Sequence, residues 1–297
     1  MRWQNYHVMS NLPELLESLG QLDGRGRVVA GGTDLIVRLK ETDMPSQPLT
    51  LLDVTRIDAM RGIKQIGDDI HIGAATTISE ISNSPLIGLK ARALAQGAGW
   101  LGSPQIRTVA TIGGNVVNAL PAADTSVPLV ALGARARIVS ARGERIALVE
   151  DLFRRVGESA IDPTREVVTE FIVKADLAPC GASAMTRMAK RKAFTLPILS
   201  AAVWIDLDKA GERFQAVRIV AAPVAPVPWR AKRAEEVISG REISSRSIEE
   251  AAALAGEDAK PGSSLRGGSA YRKDMVVVLV RRALRDALKQ VDRVPHE

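Results

Sequence analysis

Two short segments pair glycines with hydroxyl and amide side chains at spacings suited to holding phosphate. They are 28-VVAGGTDLIVRLK-40 and 108-TVATIGGNVVNALPAADTSVPLVAL-132. Each runs from small or β-branched residues into Gly-Gly and then a Thr or Asn. Glycine tolerates φ > 0 and carries no Cβ, so such a loop exposes backbone N–H groups to an anion. The residues that form and flank the glycine pair are Val29, Ala30, Gly31, Gly32, Thr33, Asp34 and Leu35 in the first segment. In the second they are Ala110, Thr111, Ile112, Gly113, Gly114 and Asn115, followed by Asn118 and Asp124. Thr and Asn side chains add donors around phosphate oxygens, and a carboxylate accepts from sugar hydroxyls. Neither segment has the lysine of a Walker loop, which argues against a magnesium-bound triphosphate and for a diphosphate. Taken alone, the first segment also reads as a plain strand-to-helix turn with Asp34 as its cap.

A third glycine pattern, 97-GAGWLG-102, matches the dinucleotide fingerprint G-x-G-x-x-G. That fingerprint has meaning only after a strand and before a helix. Here the preceding 89-LKARALAQ-96 reads as helical, and Ser103-Pro104 interrupts the chain directly after it. A helix end and a turn account for the pattern.

The elements that must position the two segments are short and irregularly alternating, without the rhythm of a doubly wound sheet. Asn11-Leu-Pro-Glu opens a helix that Gly20 closes. A strand over 27–30 leads into the first segment, and Leu35, Ile36 and Leu39 suit a helix stopping near Pro45. Short strands come next at 49–53, 62–66 and 69–72. Thr77-Ile-Ser-Glu80 is a capping box, and 86–97 reads as one helix. After the second segment we expect a helix around 128–132 and strands at 135–140 and 166–173. Beyond Asp176 the texture changes. Strands over 195–208 and 214–222 form a hairpin at Lys209-Ala-Gly211, and then comes a proline-rich link, 223-PVAPVPW-229. Helices are then predicted at 231–238, from a box at Ser247-Ile-Glu-Glu250, and over 271–291, with a domain boundary near 178.

Composition narrows the function classes. The 297 residues are 46% hydrophobic and 25% charged, enough for a buried core of one large or two to three smaller domains. Forty Lys and Arg against 34 Asp and Glu give +6, but the excess is scattered and aromatics are only 3%, which argues against a nucleic-acid surface. The tightest basic groups are 187-RMAKRK-192, 230-RAKR-233 and Arg281, Arg282 and Arg285. One cysteine, Cys180, and three histidines, His7, His71 and His296, cannot ligate an iron–sulfur cluster and make a zinc site improbable. The N-terminal stretch lacks the apolar core of a secretory signal, and the apolar run 275–280 goes straight into Arg281 and Arg282. A cytoplasmic protein with no membrane span is expected.

Together with SARGERIALVEDLF and GSAYRKDMVVVLVRRAL, the two glycine segments resemble one family in order over nearly the whole chain. It is the FAD-binding medium subunit of the molybdenum hydroxylases, the carbon monoxide dehydrogenase, xanthine dehydrogenase and aldehyde oxidase group. The resemblance implies an α+β chain: a two-part FAD-binding domain of the vanillyl-alcohol-oxidase (PCMH) type over residues 1–177, then a C-terminal domain over 178–297. The first would divide into subdomains of about 1–56 and 57–177; the second would hold a small antiparallel sheet and a helical bundle. It further implies that residues 29–35 wrap the FAD diphosphate through backbone N–H groups and that residues 110–115 form the opposite wall. Thr111 and Asn115 would add side-chain donors, Asn118 would line the cofactor, and Asp124 would hold a sugar hydroxyl. Leu101 would cover the isoalloxazine, Val168 would make an apolar flavin contact, and Arg187 stands where relatives keep a lysine near the flavin.

The resemblance also implies a division of labour. FAD would be bound non-covalently, since neither segment has a histidine or cysteine to form a flavin bond. Molybdopterin would sit on a large partner subunit and two 2Fe–2S clusters on a small one, in a dimer of heterotrimers. Electrons would leave through an external acceptor, NAD+, a quinone or oxygen. The cysteine-rich insertion of the hydroxybenzoyl-coenzyme-A reductase type is missing between Asn118 and Asp124. The flavin performs the redox step, so no catalytic acid or base is assigned. The competing reading is a stand-alone flavin reductase of related fold, which would need its own substrate acid and hydride-donor site.

Overall fold

The computed structural model describes residues 3–41, 48–175, 180–191, 195–265, 267–293 and 295. The predicted helix stop at Pro45, the domain boundary near 178, Lys192 and His296 lie outside those residues. The chain is a mixed α+β structure built on three main sheets.

The first sheet is parallel. Strand β1 (Trp3–Val8) is followed by α1 (Leu12–Gln21), β2 (Gly26–Val29), α2 (Leu35–Glu41) and β3 (Leu49–Asp53), with β3 in the centre. All five residues of β3 are buried, as a central parallel strand covered on both faces requires. Asn11 caps α1 by accepting from the Glu14 N–H at 2.9 Å. Nothing in the residue pattern marks β1, because its side chains past Trp3 are mostly exposed; backbone pairing with β3, the Trp3 packing and a bond from the Tyr6 hydroxyl to Asp53 Oδ2 at 2.5 Å hold it.

The second sheet is antiparallel, in the order β4-β5-β10-β6-β7. It comprises β4 (Ile63–Ile66) and β5 (Asp69–Gly73), then β6 (Arg135–Ser140), β7 (Gly143–Leu148) and β10 (Glu166–Lys174). A two-stranded ribbon, β8 (Phe153–Arg155) and β9 (Glu158–Ser159), precedes β10. Between β5 and β6 lie α3 (Ile78–Asn83), α4 (Pro85–Lys90), α5 (Arg92–Trp100), α6 (Pro104–Arg107), α7 (Ile112–Val117) and α8 (Ser126–Ala131). The Thr77–Glu80 capping box starts α3. The single helix expected over 86–97 is two, broken at Ala91, whose φ of −154° is not helical. Helix α5 then runs through Gly97, where a Cβ would overlap the Asp124 carbonyl; close packing, not a turn, explains that glycine.

The third sheet has consecutive antiparallel strands: β11 (Gly181–Met188), β12 (Leu199–Leu207), β13 (Phe214–Ala222) and β14 (Trp229–Arg230). Helices α9 (Lys232–Ile238), α10 (Ser245–Asp258) and α11 (Ser269–Gln290) complete the C-terminal part. The expected hairpin is therefore the middle of a four-stranded sheet. The box that opens α10 is Ser244 with Ser247, three residues before the expected one, because the buried Ser247 hydroxyl donates to the Glu242 carbonyl at 2.8 Å.

One apolar core links the second sheet with α3 to α8 and extends to Met185, Ala202, Val220 and Ala222 of the third. Polar bonds run along the same seam. The Ala93 N–H donates to the Ser183 hydroxyl at 3.2 Å and the Met185 N–H to Gln96 Oε1 at 2.8 Å. A separate small core of Val29, Leu39, Leu49 and Leu51, with Leu35 and Ile36 against it, seats α2 on the first sheet.

Candidate functional site

The first glycine segment leaves the end of β2 and enters α2; the second is the start of α7, and the two meet. A Cβ on Gly31 would overlap the Val109 carbonyl and crowd Ala110, so Gly31 allows backbone-to-backbone contact between the segments. Gly32 has a φ of 65°, a conformation glycine adopts without strain. The expected second loop is in fact a capped helix turn: the Thr111 hydroxyl accepts from the Gly114 N–H at 3.2 Å. That turn is anchored from below. The Gly113 N–H donates to the Ala74 carbonyl at 2.8 Å and the Ile112 N–H to the Thr76 carbonyl at 3.1 Å. A Cβ on Gly113 would come within 2.7 Å of that Ala74 carbonyl, whereas one on Gly114 meets only the Thr111 hydroxyl, at 3.2 Å.

Between the two segments runs a cleft of about 670 Å³, walled by both sheets' connections and by residues 157–159, Ile161 and Pro163. Its size is within the usual range for cofactor sites, about 300–1,000 Å³. All seven residues from Val29 to Leu35 line it, as do Leu101, Ala110, Thr111, Gly113, Gly114, Asn115, Asn118 and Val168. The N–H groups of Gly31, Gly32, Thr33 and Asp34 make no hydrogen bond among the described residues. Unsatisfied donors facing a cleft are what a diphosphate needs, so the first segment fits that group. Asn115 accepts from the Thr125 N–H at 3.3 Å and its hydroxyl at 2.5 Å through Oδ1, which turns its amide nitrogen away from that contact.

Three expected residues are not among those that line the cleft. Ile112 is fully buried under α7 and is not part of the cleft lining. Asp124 and Arg187 face each other, with Arg187 Nε 3.2 Å from Asp124 Oδ1 and the side chains 6% and 4% exposed. The pair joins the connection before α8 to strand β11, at the seam between the two parts of the chain. Burial pushes the Asp124 carboxyl up to about 6, against the opposing pull of the Arg187 charge. Arg187 also donates to the Thr195 carbonyl. Opposite charges that a fold buries together are paired for each other first.

The cleft also brings in charged residues that motif reading passed over: Arg27, Arg38, Glu158 and Glu166. Arg38 was inside the first segment, four residues after Asp34, and on a helix that spacing stacks the two positions. Its guanidinium Nη2 donates to Asn118 Oδ1 and so ties α2 to the end of α7. Among the described residues no cluster of His, Cys, Asp or Glu is arranged to hold a metal ion.

Comparison with known proteins decides the family. Residues 2–173 match the model of the FAD-binding domain in molybdopterin dehydrogenase, and residues 184–287 match the CO dehydrogenase flavoprotein C-terminal domain. The chain belongs to the FAD-binding subunits of the molybdopterin dehydrogenases. It is similar to the nicotinate dehydrogenase FAD-subunit of Eubacterium barkeri, 29% identical over 268 residues and 89% of each chain. It is also similar to the carbon monoxide dehydrogenase medium chain of Hydrogenophaga pseudoflava, 28% identical over 95% of this chain and 96% of the relative. A solved carbon monoxide dehydrogenase structure from that organism, lacking the Mo-pyranopterin moiety of the molybdenum cofactor, superposes with a TM-score of 0.89. That likeness covers 97% of this chain and 98% of its counterpart. The architecture described above is thus that of an FAD-binding domain followed by the flavoprotein C-terminal domain, in an oxidoreductase component.

Proposed function

We propose that this chain is the electron-transfer subunit of a cytoplasmic molybdenum hydroxylase complex. It takes electrons from 2Fe–2S clusters on a small partner subunit and delivers them to an external acceptor, NAD+, a quinone or oxygen. Substrate oxidation belongs to a large molybdopterin subunit, and the assembly is a dimer of heterotrimers. The observation that carries the reading is the cleft between the two glycine segments, lined by unpaired N–H groups and placed between the first sheet and α7. When bound there, the flavin supplies the redox chemistry that the side chains do not.

This chain's residues do the holding. Backbone donors of residues 31–34 take the diphosphate, with Gly114 giving close approach on the facing wall and the Asn115 amide adding a donor. Leu101 and Val168, both largely buried, offer apolar surface for the isoalloxazine and keep water from it. Asp124 and Arg187 fix the seam between the two domains through their ion pair.

The test is to tag the chain in its native host and isolate what accompanies it. Two further subunits should co-elute with iron, molybdenum and FAD, the FAD released intact by heat denaturation. A chain that elutes alone with flavin and itself oxidises a nicotinamide donor would instead be the stand-alone reductase.

A further inference from the structure

The charges around the cleft single out a residue that neither glycine pair explains. Bound diphosphate is anionic, yet the first segment carries an acid, Asp34, beside its N–H groups, and the second carries no charge from Thr111 to Asn118. Of the lining cations, Arg27 is turned to the Gly24 and Gly26 carbonyls, at 2.8 and 2.6 Å. Glu166, an acid of the same lining, is held by Arg145 at 3.0 Å. The other cation of the lining is Arg38.

Its position is built by the fold. Leu35, Ile36 and Leu39 seat α2 on the first sheet and leave Arg38 exposed on the opposite face. The Arg38 N–H donates to the Asp34 carbonyl at 3.0 Å, which places it one helical turn from the glycine segment. The side chain then crosses to Asn118, immediately after α7. A guanidinium presents five N–H donors in a planar fork, so a bond to Asn118 is compatible with another to a phosphate oxygen.

We propose that Arg38 is the counter-charge for the cofactor's diphosphate, held at the junction of the two glycine segments by Asn118. The inference rests on the reading of the cleft as the FAD site. Asn118 is then a positioning residue that acts through Arg38.

The experiment titrates flavin-stripped full-length protein with FAD, following quenching of flavin fluorescence at low and high salt. Binding by the wild type checks the underlying reading by itself. Arg38→Gln, which keeps a donor for Asn118 and removes the charge, should raise the FAD Kd about tenfold or more. It should also flatten the salt dependence, since an exposed charge is screened over about 8–10 Å at ordinary ionic strength. Arg38→Lys should retain the salt dependence with weaker binding, and Asn118→Ala should shift the Kd in the same direction as Arg38→Gln but less. The melting temperature of the flavin-free protein should not change in Arg38→Gln. Wild-type binding with an unchanged Kd and salt slope in Arg38→Gln would overturn the proposal and leave the FAD site standing. A lowered melting temperature with an unchanged salt slope would equally overturn it, by assigning Arg38 a structural role.

Discussion

At the scale of single residues, the ion pair of Asp124 and Arg187 shows how burial reverses an ordinary acid. The carboxyl is raised to about 6 from 3.8 because desolvation outweighs the attraction of the guanidinium. The folded state therefore binds its proton more tightly than the unfolded chain. This group's contribution is most favourable below pH 4, declines as pH rises to about 6, and is constant above. Relative to Asp124→Asn, which cannot titrate, the wild type should lose on the order of 2–3 kcal/mol of stability across that window. Urea midpoints of both proteins at pH 4.5, 5.5 and 7 measure it; a gap that stays the same at every pH would contradict the assignment. The sequence displayed both charges, but not that they would share one buried seam. The nearest clue was only that each stands near the end of an apolar stretch.

At the scale of elements, the four glycines of the two segments have different tasks. Gly31 and Gly113 are sites of close backbone approach, Gly32 needs its positive φ, and a Cβ on Gly114, in the cleft lining, would meet only the Thr111 hydroxyl. Gly31→Ala should cost about 1–3 kcal/mol or more through overpacking against Val109, seen as a lowered melting temperature of the flavin-free protein. An unchanged melting temperature would mean that the segments do not meet as described. Elements were legible where the chemistry was local. The Asn11 cap, the Thr77–Glu80 box and the strands at 135–140 and 166–173 are all present. They were hidden where a neighbour decided the outcome. Helix α7 was hidden because Gly-Gly disfavours a helix until the Thr111 cap and the Ala74 and Thr76 carbonyls hold it. Strand β1 was hidden because its pairing with β3 leaves no buried alternation to read.

At the scale of the whole molecule, the cleft was legible as two segments, but the arrangement that makes them one site was not. Their juxtaposition depends on packing between sheets that are far apart in sequence, and the bond from Arg38 to Asn118 joins positions 80 residues apart. The C-terminal domain is joined to the FAD-binding domain by a shared core and by bonds from Ser183 and Met185. Contacts of that kind couple the two unfolding events. Calorimetry of the full-length protein should give a single cooperative transition, and two well-separated transitions would show that the seam contributes little. No helix among the described residues is long and apolar enough to cross a membrane. Whether FAD lies between the two glycine segments is decided by titrating flavin-stripped wild type beside Gly114→Val. Tight FAD binding by the wild type and its loss in Gly114→Val are expected, with the fold retained by circular dichroism. Equal FAD binding by both proteins, or none by the wild type, would contradict that placement of the cofactor.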